Sequence, residues 1–153
     1  SQALPETKIA GVDISKDMLR VAKEKIRKEH IKNIKLYPMD ATNTKFKNKC
    51  FDKVLLSLVL HELQEPFAGA ILKEAKRVLK DDGRIVVTEW ELSNVFWRKI
   101  LFLPIHILEP KPYRAFIQKD LNEYFVRFGL EIVEEKHCDY SKVLTVQKMK
   151  NFS

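Results

Sequence analysis

Lys8-Ile9-Ala10-Gly11-Val12-Asp13-Ile14-Ser15-Lys16-Asp17-Met18-Leu19 decides how this chain is read. A short apolar run closes on a carboxylate, and a serine and an amphipathic stretch follow at once. The run reads as a strand and the stretch from Lys16 to His30 as a helix. Ser15 suits the N-cap, and Asp17 stands in the first turn, where the helix dipole favours an anion. Met18, Leu19, Ala22 and Ile26 make an apolar stripe, while Lys16, Arg20, Lys23 and Arg27 face water. A carboxylate at the carboxyl end of a parallel strand, just ahead of a helix, is where doubly wound α/β domains hold the ribose hydroxyls of a nucleotide. It suits that task because it accepts two hydrogen bonds at once and donates none. A helix-capping Asp13 is the plainer alternative, although Ser15 fills that role better.

Strand and helix alternate from there on. Asn33 to Met39 reads as a second strand, ending in Asp40-Ala41-Thr42. A lysine-rich loop (Lys45, Lys47, Lys49) leads to Phe51-Asp52 and then to Lys53-Val-Leu-Leu-Ser-Leu-Val-Leu60. That nearly continuous apolar run suits a strand covered on both faces. Ala68, Ile71, Leu72, Ala75, Val78 and Leu79 recur at helical spacing from about Pro66 to Lys80, and Asp81-Asp82-Gly83 is expected to stop the helix. Arg84 to Trp90 is the next apolar strand. Helical period resumes at Leu121, Tyr124, Phe125 and Phe128, with Gly129 placed as a C′ residue. Leu130 to Tyr140 and Ser141 to Lys148 close the chain as an antiparallel pair. The fold class is therefore α/β with a mainly parallel sheet and a C-terminal antiparallel strand pair. Asp13, Asp40, Ser57 to Glu62 and Glu89 to Glu91 are expected at the carboxyl ends of its strands, where such folds bind ligands.

A chain of 153 residues makes one domain with a real core. Its formal net charge of +7 favours an anionic partner, whether a membrane surface, nucleic acid or an acidic small molecule, unless the lysines are simply solvated. Only four glycines occur, at positions 11, 69, 83 and 129, and no Gly-x-Gly pair exists. Cys50 and Cys138 form no metal-spaced pair and read as reduced thiols, so no metal site is expected and the localisation reads as cytoplasmic. The start, Ser1 to Pro5, lacks the basic and apolar regions of a signal peptide. No run is long enough to span a bilayer; Ile100 to Leu108 is short and holds Pro104.

Asp13-Ile14-Ser15 with Asp17-Met18-Leu19, Met39-Asp40-Ala41, Phe51-Asp52-Lys53-Val54, Leu58-Val59-Leu60-His61-Glu62-Leu63 and Arg77-Val78-Leu79-Lys80-Asp81-Asp82-Gly83-Arg84 follow in order. Each block is weak alone. Together, at this spacing, they resemble the Rossmann-like (class I) S-adenosylmethionine-dependent methyltransferases of the ubiquinone/menaquinone-biosynthesis type. The resemblance runs from the first residue to about Glu91 and resumes weakly from Asp120 to Leu130. It implies S-adenosyl-L-methionine as cofactor and a doubly wound sheet. It also implies an opening strand and glycine-rich loop that these residues do not contain. Residues 1–153 then read as a single, N-terminally truncated methyltransferase domain. In this fold that strand lies between the strands ending at Asp13 and near Leu60, so its absence leaves two edges unpaired and invites a homodimer.

By the same resemblance Asp13 holds the cofactor ribose, and Ile14 and Met18 pack on the adenine. Asp40 accepts from the adenine amino group beside the Ala41 N–H; the alternative is a turn Asp ahead of Thr42. Ser57, Leu58 and His61 line the transfer site, with His61 either a general base or a hydrogen-bonded structural histidine. Glu89 and Glu91 either hold a polar group of the substrate or end a strand. His30, His106 and His137 have no partner pattern and read as structural. Residues 93–117 sit where the family carries a substrate-covering insertion. Phe96, Trp97, Leu101, Phe102, Ile105 and Leu108 suit a small lipophilic acceptor, and Arg98, Lys99, Lys111 and Arg114 suit peripheral contact with an anionic membrane, unless the segment is a plainly packed helix. Two alternatives stand beside methyl transfer to such an acceptor: a non-catalytic interaction module that keeps the fold, and an RNA methyltransferase.

Overall fold

The computed structural model describes residues 6–90, 120–138 and 141–150. They divide into two compact units, Ser1–Lys45 and Phe46–Ser153. In the first, strand β1 (Ile9–Asp13), helix α1 (Lys16–Lys28) and strand β2 (Ile34–Pro38) form a βαβ unit. The strands pair in parallel from Ile9 opposite Ile34 to Asp13 opposite Pro38. Ser15 caps α1 as expected: its Oγ accepts from the Met18 N–H at 3.3 Å. The apolar stripe is less covered than its spacing predicts. Leu19, Ala22 and Ile26 are half-buried, whereas Met18 is 58% exposed.

The second unit contains β3 (Phe51–Ser57), a 3-10 turn (Leu60–Glu62), helix α2 (Glu65–Val78), β4 (Leu79–Trp90), helix α3 (Leu121–Val126), β5 (Leu130–His137) and β6 (Ser141–Lys148). The sheet order is β3-β4-β6-β5. β3 and β4 are parallel, and β6 runs antiparallel to both β4 and β5. The α/β class and the antiparallel closing pair thus stand as expected. The insertion expected at 93–117, together with Glu91 and His106, lies outside the described residues.

Three expected boundaries move. The apolar run does not continue as a strand to Leu60: β3 ends at Ser57, and Leu58 takes the left-handed conformation with φ 56°. Nor is β3 covered on both faces, because Leu55 is 67% exposed. The helix expected to stop at Asp81-Asp82-Gly83 ends earlier, since Leu79 is already extended and pairs with Phe51. Asp81, Asp82 and Gly83 instead form an irregularity inside β4, between the Phe51–Leu79 and Lys53–Arg84 pairs. Gly83 permits that close approach, because a Cβ there would stand 2.7 Å from Leu79 Cδ1 and 2.9 Å from the Asp52 carbonyl oxygen. Gly129 does lie in the left-handed region, at φ 66°, but two residues beyond the C-cap Arg127.

The core of the second unit is the apolar face of α2 (Ala68, Ile71, Leu72, Ala75) with Ile85 and Val87 of β4, Leu144 and Val146 of β6, and Tyr124 and Phe125 of α3. Lys76 ties α2 to the end of α3 by donating to the Phe128 carbonyl at 2.9 Å. Among the described residues, β1 pairs only with β2, and β3 only with β4. Each therefore keeps one edge without a ladder partner.

Candidate functional site

In the first unit, parallel pairing brings Asp13 and Asp40 to the same end of the β1-β2 sheet, where the Met39 N–H donates to the Asp13 carbonyl at 3.2 Å. Asp13 Oδ1 accepts from the Ser15 N–H at 2.8 Å, so the carboxylate is aimed by the turn that starts α1. Both local readings of this turn hold together: Ser15 caps the helix while Asp13 braces Ser15. One carboxylate oxygen used in this way leaves acceptor capacity for a diol. Ile14, 74% exposed, and Met18 stand beside it as apolar surface that the unit's own packing does not use. Asp40 Oδ1 accepts from both the N–H and the Oγ of Thr42, at 2.8 and 2.7 Å. Those two bonds, the backbone one first, hold its carboxyl below the usual range, so it is an anion that braces its own turn. Ala41 follows it, half-buried. A carboxylate, an adjacent apolar face and a second carboxylate, all hydrogen-bond acceptors or apolar groups, thus share one edge of this two-stranded sheet, a set compatible in kind with a ribose diol and an adenine ring.

In the second unit the site grows from the parity of β4. Ile85, Val87 and Glu89 alternate onto the buried face, so a carboxylate, 1% exposed, occupies a core position. At the end of β3, beyond the exposed Ser57, the Leu58 N–H still donates to the Thr88 carbonyl at 2.8 Å. The positive φ at Leu58 then turns the chain into the Leu60–Glu62 turn, a conformation that a leucine holds at a cost on the order of 1 kcal/mol. That turn delivers two partners to Glu89. The Leu60 N–H donates to Oε1 at 3.0 Å, and His61 Nδ1 is hydrogen-bonded to Oε2. His61 is 6% exposed. Its Nε2 stands 4.0 Å from Glu62 Oε1, whose side chain is exposed. Burial pushes the Glu89 carboxyl above its usual range, and the His61 ring opposes that shift.

The sequence-predicted residues therefore fall into two groups. Asp13, Ile14, Met18, Asp40 and Ala41 share one unit; Ser57, Leu58 and His61 share the other. The sequence leaves Glu89 two readings at a strand end and carries no signal for its contact with His61. The parity of Ile85 and Val87 carries the signal for its burial. Cys50 and Cys138 are both free and exposed. Among the described residues no helix is long and apolar enough to cross a membrane.

A family described as "Methyltransferase domain" matches residues 1–129. The chain belongs to this family. Among curated relatives, the demethylmenaquinone methyltransferase of Geobacillus sp. (strain WCH70) is 34% identical over 121 residues, covering 78% of this chain and 50% of the relative. The chain thus spans about half the length of the curated relatives it matches. Among solved structures, a SAM-dependent methyltransferase from Aquifex aeolicus superposes with a TM-score of 0.70 at 19% identity, covering 91% of this chain and 68% of that one. A SAM-dependent methyltransferase from Methanosarcina mazei gives 0.71 at 19% identity, with 97% and 85% coverage. At such identity these structures establish the Rossmann-like fold alone. The cofactor of the methyltransferase family is S-adenosyl-L-methionine.

Proposed function

We propose that this chain is part of an enzyme that transfers a methyl group from S-adenosyl-L-methionine to a small, lipophilic acceptor of the quinone class. The observation that carries the reading is the Asp13 carboxylate, aimed by Ser15 beside the bare apolar pair Ile14 and Met18. When bound, the cofactor supplies an electrophilic methyl carbon on a sulfonium sulfur. The chain's residues have to hold and align. Asp13 would accept from the two ribose hydroxyls, Ile14 and Met18 would cover the adenine, and Asp40 with the Ala41 N–H would read its edge. Ser57 and Leu58 would line the cofactor's path toward the acceptor.

The acceptor class follows from chemistry and from the relatives, which are demethylmenaquinone methyltransferases. A quinone ring is itself electrophilic, so the nucleophile must be its hydroquinone, made reactive by loss of a phenolic proton. His61 would take that phenolic proton, so that the ring carbon could accept the methyl group the cofactor supplies, and the hydrogen on that carbon would then leave as a proton to restore the aromatic ring. Placement and water exclusion supply the rest of the rate. The insertion at 93–117, as a cover for the acceptor, and its cations, as a membrane contact, belong to this reading. A test is methyl transfer from labelled S-adenosylmethionine to reduced demethylmenaquinone by the full-length protein. Label in the quinone fraction is expected. Cofactor binding without transfer to any reduced naphthoquinone would overturn the acceptor class.

A second reading is favoured by the exposed Leu55 and by the edge of β3 that has no ladder partner among the described residues. The chain would be an interaction module that pairs strand to strand with a second copy. Only the net charge favours RNA as the acceptor, and that reading fails if RNA binding shows no steep loss with added salt.

A further inference from the structure

We infer that Glu89 is a positioning residue that holds the His61 imidazole with its proton on Nδ1, making Nε2 the nitrogen that accepts a proton from the substrate. This deepens the methyl-transfer reading and rests on it. The geometry assigns the proton. Glu89 Oε1 is taken by the Leu60 N–H at 3.0 Å, so only Oε2 faces His61. An ionised carboxylate can only accept, so the ring nitrogen against it carries the hydrogen. A neutral imidazole has one donor and one acceptor nitrogen, and fixing Nδ1 as donor leaves the lone pair on Nε2.

Burial adds a driving force. With Nε2 unprotonated the pair carries one negative charge in the core, on a carboxylate that is 1% exposed. A proton arriving at Nε2 would neutralise that charge. Among the described residues Glu62 also stands near the ring, with Oε1 4.0 Å from Nε2. A purely structural role would be served equally by a neutral hydrogen-bonding pair.

The test is the nitrogen-15 long-range spectrum of the histidine rings, with His61 assigned through the backbone, alongside kinetics of Glu89→Gln. In the wild type at pH 8, His61 is expected as the Nδ1–H tautomer. In Glu89→Gln the amide donates to Nδ1 and moves the proton to Nε2. The expected result is a kcat lower by about 10²–10⁴-fold with an unchanged KM for S-adenosylmethionine. Glu89→Asp, which keeps the charge, should restore part of the rate. A wild-type His61 protonated on Nε2, or a Glu89→Gln protein with wild-type kcat, would overturn the inference. The wild-type spectrum decides alone if the variant does not fold. S-adenosylhomocysteine binding is measured separately: no binding rejects the methyltransferase reading, whereas binding with the wrong tautomer rejects only the role of Glu89.

Discussion

A carboxylate in a core and the ring beside it depend on each other, so removing one side differs from removing both. His61→Ala would leave Glu89 buried against a void, with the Leu60 N–H as its remaining partner among those described above. The expected cost is about 3–5 kcal/mol of unfolding free energy, read from denaturant titration. A loss below about 1 kcal/mol would contradict the pairing. The pair also sets a pH dependence. Because burial raises the Glu89 carboxyl, the folded chain binds that proton more tightly than the unfolded one. Its contribution to stability is full below the ordinary value of 4.5 and is lost as pH rises through the raised folded value. Wild-type stability should therefore fall relative to Glu89→Gln as pH climbs from there, and a flat difference would refute it. At this scale the sequence is half legible. Two residues beyond Val87 on an apolar strand, Glu89 is buried by parity. Its partner is not readable, because the turn that brings His61 to it depends on an unfavourable φ at Leu58 that no residue preference announces.

Among the elements, the passage from α2 into β4 shows local signals yielding to pairing. Asp81-Asp82-Gly83 reads as a helix stop, yet Leu79 already pairs with Phe51 and the glycine serves a crowded irregularity. Gly83→Ala should cost about 1–3 kcal/mol, since the new methyl meets the Asp52 backbone as well as Leu79. A neutral result by thermal unfolding would show that the strand ends can part. The same region is clamped by Lys80 to Asp52 and Lys49 to Asp81, both at 2.7 Å, with Lys148 3.3 Å from Asp81. These lysines hold both carboxyls below their ordinary value of 3.8. Their contribution is present above that value and is lost as pH falls through the lowered folded ones. Asp81→Asn should therefore weaken the fold at neutral pH, with the difference closing in acid and in high salt. The long periodic elements, α1 and α2, were legible because amphipathic spacing is strong over several turns. Their ends were not, because caps and ladders compete there.

For the whole molecule, the order of elements was readable because apolar runs and helical periods stand apart along the chain, although no helix separates β2 from β3. The exposure of Leu55 was not: an apolar run looks the same whether a neighbour covers it or not. That exposed leucine and the edges of β1 and β3 that have no ladder partner among the described residues predict concentration-dependent association of these 153 residues. Light scattering should find it, and Leu55→Lys should reduce it; a monomer at every concentration would leave the interaction-module reading without support. The account as a whole stands on an adenosyl cofactor held by Asp13. Its most direct test is calorimetric titration of S-adenosylhomocysteine into the full-length protein and its Asp13→Ala variant. Loss of two charge-assisted hydrogen bonds should weaken binding by roughly 10-fold or more. Equal affinity in both proteins, or no binding by the wild type, would contradict it.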